Sequence, residues 1–235
     1  CVNVIKKILT GCKCLDHRLS GGVSSESVTL IYGEPETGKT TLAMQCAVNG
    51  ALQGYKTLFI DCDNTFSAER LSQISAGKFE EIAALIILMK PNDFREQTAV
   101  IDHLPDYTTK NFGLVIIDTV TSLYRAQIAE ATGKVFDLNR ELNRQMAVLA
   151  QTAKTQKIPI IVTSQVRSVF NESYISVAPV ATRVLKFWAD TIIAMKSTEN
   201  PQIIRAVLEK AYGKAQEATC HLRITGTGIH DYPLH

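Results

Sequence analysis

The stretch Gly33-Glu34-Pro35-Glu36-Thr37-Gly38-Lys39-Thr40 constrains this chain more than any other. It satisfies the phosphate-binding-loop pattern G-x-x-x-x-G-K-[ST] at every fixed position. Ser27 to Tyr32, just before it, is rich in β-branched and aromatic residues and reads as a strand; Thr41 to Val48, just after it, reads as a helix. A loop so placed turns backbone N–H groups and a helix N-terminus toward an anion. The expectation is an ATP site in which Gly33, Glu34, Pro35, Glu36, Thr37, Gly38, Lys39, Thr40 and Thr41 surround the phosphates. In such a site Lys39 reaches the β- and γ-phosphates and the Thr40 hydroxyl binds Mg²⁺. The competing reading is a glycine-rich turn that matches by chance, and the flanking strand and helix weigh against it.

Further strands and helices follow in alternation. Lys56 to Asp61, Ala84 to Met89, Leu114 to Asp118 and Ile158 to Gln165 read as strands, the second and third as apolar runs of the kind buried in parallel sheets and the fourth ending in polar side chains. Helices are predicted from about Ser67 to Ala76, from an Asp93 cap with its Glu96 partner toward Leu104, and from about Asp137 to Gln156. In the last of these, Leu138, Leu142, Met146, Leu149 and Ala153 make one apolar stripe for core packing. The final third changes to short strands at Thr191 to Met195, Ile203 to Leu208 and Ala218 to Thr225, with tight turns at Glu199-Asn200-Pro201 and Gly226-Thr227-Gly228. The predicted fold class is therefore α/β: a mostly parallel twisted sheet flanked by helices, with an antiparallel C-terminal extension. No linker-like composition divides the 235 residues, so a single domain over 1–235 is expected.

Composition excludes some classes. With 46% hydrophobic and 20% charged residues the chain is an ordinary globular one. A net charge of +2 does not advertise a nucleic-acid binder, although a local basic surface remains compatible with it. No apolar run reaches the length of a membrane helix and no signal peptide is visible, so a cytoplasmic protein is expected. The six cysteines, at 1, 12, 14, 46, 62 and 220, include no Cys-x-x-Cys pair and read as reduced thiols, with Cys46 and Cys62 partly buried.

Around the phosphate loop, several residues suggest chemistry. Asp118 closes an apolar strand, the position of a carboxylate that holds Mg²⁺ beside Thr40. Asp61 and Asp63 follow the second strand, where a carboxylate can orient and deprotonate the attacking water; spacing alone does not choose between them. Gln165 ends the strand after Asp118 and can hydrogen-bond a γ-phosphate and report its presence. Two polar segments, Arg125 to Val135 and Val166 to Ala178, read as loops able to touch a ligand. Arg125, Lys134 and Arg167 within them and Arg183 just beyond the second are the basic residues read as DNA contacts, and Tyr124, Phe170, Tyr174, Phe187 and Trp188 nearby are aromatics that either stack on bases or serve as core or loop anchors.

Taken in order, these stretches resemble the ATPase core of the RecA/RadA recombinases over about Thr10 to Asp231. Thr10-Gly11-Cys12-Lys13-Cys14-Leu15-Asp16 with Gly21-Gly22 is similar to the T-G-x-x-x-L-D…G-G entry of that core. Phe59-Ile60-Asp61-Cys62-Asp63-Asn64-Thr65-Phe66 through Leu71 resembles Y-I-D-T-E-G-T-F-x-P-E-R-I. Thr121 to Ala126 resembles S-x-F-R-A, and Val162-Thr163-Ser164-Gln165-Val166 resembles V-T-N-Q-V. The resemblance implies a RecA-like P-loop ATPase fold with Asp63 in the place of the catalytic Glu and Arg70 on the adenine side. It also places Lys39 and Gln165 among the catalytic residues. About ten residues precede Thr10, so no helix-hairpin-helix domain and no Phe-x-x-Ala polymerisation peptide are visible, which resembles the archaeal RadB branch of the family.

That branch implies an ATP- and DNA-binding accessory factor of homologous recombination. Its implied partners are single-stranded or branched DNA, a RadA-type recombinase and a junction-resolving nuclease. The missing peptide favours a monomer or dimer over a filament. Asp63 is one methylene shorter than Glu, which predicts slow hydrolysis. Ala178-Pro179-Val180-Ala181 stands where a Gly-Gly pair follows the second DNA loop in RadA. Three alternatives stay open: a KaiC-like regulatory ATPase acting on protein partners, a P-loop kinase, and a paralogue that holds nucleotide only as a structural ligand.

Overall fold

A computed structural model of the chain describes residues 7–108, 111–130, 132–166 and 177–233. Its strands are β1 (Val28–Gly33), β2 (Lys56–Asp61), β3 (Ile86–Met89), β4 (Phe112–Asp118), β5 (Ile160–Gln165), β6 (Thr191–Ser197), β7 (Ile203–Ala211), β8 (Lys214–Thr225) and β9 (Gly228–Asp231). Its helices are α1 (Lys13–Arg18), α2 (Lys39–Leu52), α3 (Ala68–Ile74), α4 (Phe79–Ala83), α5 (Phe94–Asp102), α6 (Leu104–Tyr107), α7 (Ser122–Glu130), α8 (Val135–Gln156) and α9 (Val177–Trp188). The strands form one sheet in the order β3-β2-β4-β5-β1-β6-β7-β8-β9. Pairing is parallel from β3 to β6 and antiparallel from β6 to β9. This is the α/β architecture that the sequence predicts.

Side chains alternate along each central strand, and both faces are covered. Leu114, Ile116, Phe59, Ile31 and Ile161 point into one core with α2. Val115, Ile117, Leu58, Ile60, Leu30, Ile160 and Val162 point into the other with α8. That two-sided burial is why β4 reads as an unbroken apolar run. Helix α2 is buried along nearly its whole length. Helix α8 is amphipathic, and Leu142, Met146, Leu149 and Ala153 have no exposure, as their spacing predicts.

Several local expectations change. The segment Arg125 to Val135 is not a loop: α7 and a short 3-10 turn, Thr132–Lys134, occupy most of it. Its helical signal is weak because only Tyr124 and Ile128, one turn apart, are buried. The run Ala84 to Met89 yields only the four-residue β3 at the sheet edge. There Ile87 and Leu88 are 39% and 38% exposed instead of buried. Ser67 and Asp93 cap α3 and α5, accepting from the N–H groups of Arg70 and Glu96 at 3.1 and 2.7 Å. The last predicted strand is longer than expected and folds back through a hairpin into β9.

The expectation of reduced thiols is also corrected. Cys14 of α1 and Cys220 of β8 form a disulfide across 206 residues of sequence. Cys12, Cys46 and Cys62 are free and fully buried, the last two more so than expected. The disulfide reinforces a junction of polar contacts: Asp231 accepts from the N–H groups of Lys13 and Cys14 at 2.7 and 2.8 Å. Gln45 of α2 ties Thr10 to Ile229 through both ends of its amide. Opening the disulfide restores the entropy of a very long loop to the unfolded chain, so Cys14→Ser should lower stability by about 3 kcal/mol, or about 6–12 °C in Tm. Thermal melts with and without reductant check this; an unchanged Tm, or six titratable thiols in the unreduced unfolded chain, would refute the bond.

Candidate nucleotide-binding site

The phosphate loop leaves the C-terminal end of β1, whose neighbours are β5 and β6 and which is the central strand of the nine-stranded sheet. Ligands of open α/β sheets bind at this edge, where strand order reverses. Gly33 is required by close approach, because a Cβ there would stand 2.0 Å from the Met195 carbonyl oxygen. Gly38 has a left-handed backbone, with φ of 82°, and opens α2. A Cβ on Gly38 would meet Ile229 and Ile224 of the C-terminal hairpin at 3.0 and 3.2 Å. Gly38 therefore lets β8–β9 pack directly on the mouth of the loop.

Lys39 is 7% exposed and curls into the loop, donating to the Glu34 carbonyl and lying 3.4 Å from Thr37 Oγ1. Burial pulls its pKa down to about 8, against the opposing pull of Asp118, Glu34 and Asp63. The Glu34 side chain points away and accepts from Ser197 of β6. Glu36, Pro35 and Glu34 are exposed, Thr40 and Thr41 half-buried on the first turn of α2.

Asp118 has no exposure. Thr40 and Thr65 donate to its Oδ2 at 2.7 and 3.2 Å, and Thr163 of β5 donates to its Oδ1. Burial raises the Asp118 pKa, and the three hydroxyls oppose that rise. The Thr40–Asp118 pair is an oxygen donor set suited to a hard divalent cation. Sequence reasoning paired these two residues and missed Thr65 and Thr163. Both stand inside the motifs it quoted, where a hydroxyl beside an acidic strand end was the available signal.

The two acidic residues after β2 separate clearly. Asp61 is buried; its oxygens accept from the N–H groups of Thr65 and Phe66 at 3.0 and 3.1 Å, and Lys90 lies 3.6 Å away. Asp63 is exposed and close enough to Lys39 to act on its charge. Gln165 pairs in register with Gly33, and the Val166 N–H donates to the Gly33 carbonyl at 2.9 Å. Arg70 donates to the Thr225 and Gly226 carbonyls in the β8–β9 turn, both at 2.8 Å.

The three described basic candidates stand on separate elements, Arg125 on α7, Lys134 in the 3-10 turn and Arg183 on α9. Arg125 is half-buried and donates to the Gln165 carbonyl. Lys134 and Arg183 are exposed. Arg167 lies outside the described residues, as do Phe170 and Tyr174. Tyr124 is buried, so its anchoring reading holds. Arg183 lines a groove of about 340 Å³ with Asn143, Val180, Val184 and Phe187. Among the described residues, no helix is long and apolar enough to cross a membrane.

Comparison with known proteins agrees with this arrangement. The Rad51 family profile matches residues 2–232. The DNA repair and recombination protein RadB of Thermococcus kodakarensis is 36% identical over 225 residues, covering 94% of this chain and 98% of the relative. The RadB protein of Methanococcoides burtonii is 32% identical over 224 residues, covering 95% and 97%. A crystal structure of the RadB recombinase superposes with a TM-score of 0.78 at 34% identity, covering 96% of this chain and all of the other. The chain belongs to the Rad51 family and, within it, to the RadB proteins.

Proposed function

We propose that this chain is an ATP-regulated, DNA-binding accessory factor of recombinational repair that hydrolyses ATP slowly. The observation that carries the reading is the 2.7 Å Thr40–Asp118 pair beside Lys39, with Gln165 in register against Gly33. Around one phosphate position it gathers a cation, a metal-type donor pair and a polar strand end leading out of the site. The family to which the chain belongs, whose relatives carry recombination and repair in their names, supports the biological setting. A RadA-type recombinase, a junction-resolving nuclease and single-stranded or branched DNA are the proposed partners, in the cytoplasm, with the chain acting as monomer or dimer.

In this reading the loop N–H groups and Lys39 hold the phosphates, and Arg70 lies on the base side. Mg²⁺, held by Thr40 and Asp118, would neutralise charge between the β- and γ-phosphates. Asp63 orients the attacking water and takes its proton as the γ-phosphoryl bond breaks. Its short reach makes that step slow. A second reading, an ATPase that acts on protein partners without DNA, is favoured by Phe187, 73% exposed beside the groove.

Three measurements test the proposal. Anisotropy of labelled single-stranded DNA, with and without Mg-ATP across a salt series, should show nucleotide-dependent binding that weakens with salt, and Gln165→Ala should uncouple the two ligands. Absence of DNA binding at low salt, with ATP still bound, would favour the second reading. Asp63→Glu should raise turnover about tenfold; a slower variant would remove Asp63 from this role. The third test is pH. Lys39 is charged below about 8 and neutral above it. Phosphate favours the charged form, so binding above that pH takes up a proton. Affinity for Mg-ATP should be level below about pH 7 and fall about tenfold per unit above about pH 8. A flat titration profile to pH 9.5 (roughly a unit and a half above that midpoint) would contradict the burial of the lysine.

A further inference from the structure

Arg125 reads as a DNA contact in the sequence, yet its place in the fold gives it other work. It stands on the first turn of α7, the helix that follows the strand ending in Asp118, and its guanidinium donates to the backbone carbonyl of Gln165. The opposite side of that backbone is also held, because the Val166 N–H donates to the Gly33 carbonyl at 2.9 Å. The peptide from which the Gln165 side chain projects is therefore fixed between the phosphate loop and α7.

The base of Arg125 is itself anchored. The Arg125 N–H donates to the Thr121 carbonyl at 3.1 Å, and the Val120 N–H to the Thr163 carbonyl at 3.1 Å. Thr121 and Ser164 share a hydroxyl–hydroxyl bond of 3.0 Å, and buried Tyr124 donates to Asn139 of α8. Two of these contacts run to Thr163 and Ser164, the residues just before Gln165. The strand end and α7 thus form one bonded unit. A half-buried guanidinium in such a unit has a fixed direction, whereas a phosphate contact needs an accessible charge.

We propose that Arg125 is a positioning residue for Gln165: it sets the strand end that senses the γ-phosphate and passes any shift of that strand end to α7. The proposal rests on the reading of Gln165 as the γ-phosphate sensor. It separates two properties that a DNA contact would join. Loss of Arg125 should blunt the distinction between ATP and ADP and leave the electrostatics of DNA binding alone.

Arg125→Ala and Arg125→Lys, with Gln165→Ala beside them, test it by fluorescent-nucleotide titration with Mg-ATP and Mg-ADP and by the salt dependence of DNA binding. Both Arg125 variants should lose about tenfold in ATP-over-ADP preference, since a lysine keeps the charge and loses the planar fork. Affinity for ADP should stay within about twofold, which also reports an intact loop. The slope of log affinity against log salt should not change. A slope reduced by about 1 in Arg125→Ala and restored by Arg125→Lys would overturn the proposal in favour of a phosphate contact. Retained preference in both variants, with Gln165→Ala defective, would overturn this inference and leave the sensor standing. A wild-type chain that binds ATP and ADP alike would overturn the sensor and this inference together.

Discussion

A carboxylate buried without exposure must find donors, and the need of Asp118 for them organises the centre of this protein. Desolvation of a charged oxygen is costly unless hydrogen bonds replace the lost water. Here the replacements come from three separate segments: Thr40 on the first turn of α2, Thr65 in the loop after β2, and Thr163 on β5. Each hydroxyl draws its own element toward the end of β4. The same set of contacts that keeps Asp118 soluble in the interior therefore fixes the phosphate loop, the acidic loop and β5 relative to one another. A core of aliphatic residues on both faces of the sheet supplies the bulk of the burial but has no such directional demand.

The C-terminal antiparallel strands complete the site from the other side. Ile224 and Ile229 lie against Gly38, where no larger residue fits without movement. Gln45 binds Ile229 with both amide ends, Arg70 holds the turn between β8 and β9, and the Cys14–Cys220 bond fastens β8 to α1. The mouth of the loop is thus framed by residues from both ends of the chain. This explains why an extension that looks peripheral in strand order bears directly on α2.

What the sequence revealed, and what it hid, follows from the range of each interaction. The phosphate loop is legible because its glycines and lysine answer to local geometry. Buried strands are legible because two-sided burial leaves them mostly apolar, as in the run Leu114 to Ile117 of β4. Helix α7 was hidden because two buried side chains, Tyr124 and Ile128, make too short a stripe to stand out. The edge position of β3 was hidden because its apolar run looks the same whether one face is covered or two. The Cys14–Cys220 pairing joins positions 206 residues apart, and no local pattern marks it. The bond from Arg125 to the Gln165 carbonyl was hidden for a different reason: a backbone carbonyl is a group that every residue possesses, so side-chain identity gave no hint of it.

The two acidic residues after β2 show how burial divides labour that composition leaves undivided. Asp61 and Asp63 are the same residue type, two positions apart, at the edge where ligands bind. Asp61 turns inward, and its oxygens are taken up by backbone N–H groups of the loop that it shapes. A carboxylate so engaged serves poorly as a base, since taking a proton would sacrifice bonds that hold the loop. The same loop places Thr65 on Asp118, so the metal-type donor set depends on Asp61 as well. Asp63 is left exposed, beside the charge of Lys39. The position open to chemistry is the one whose carboxylate the fold does not need.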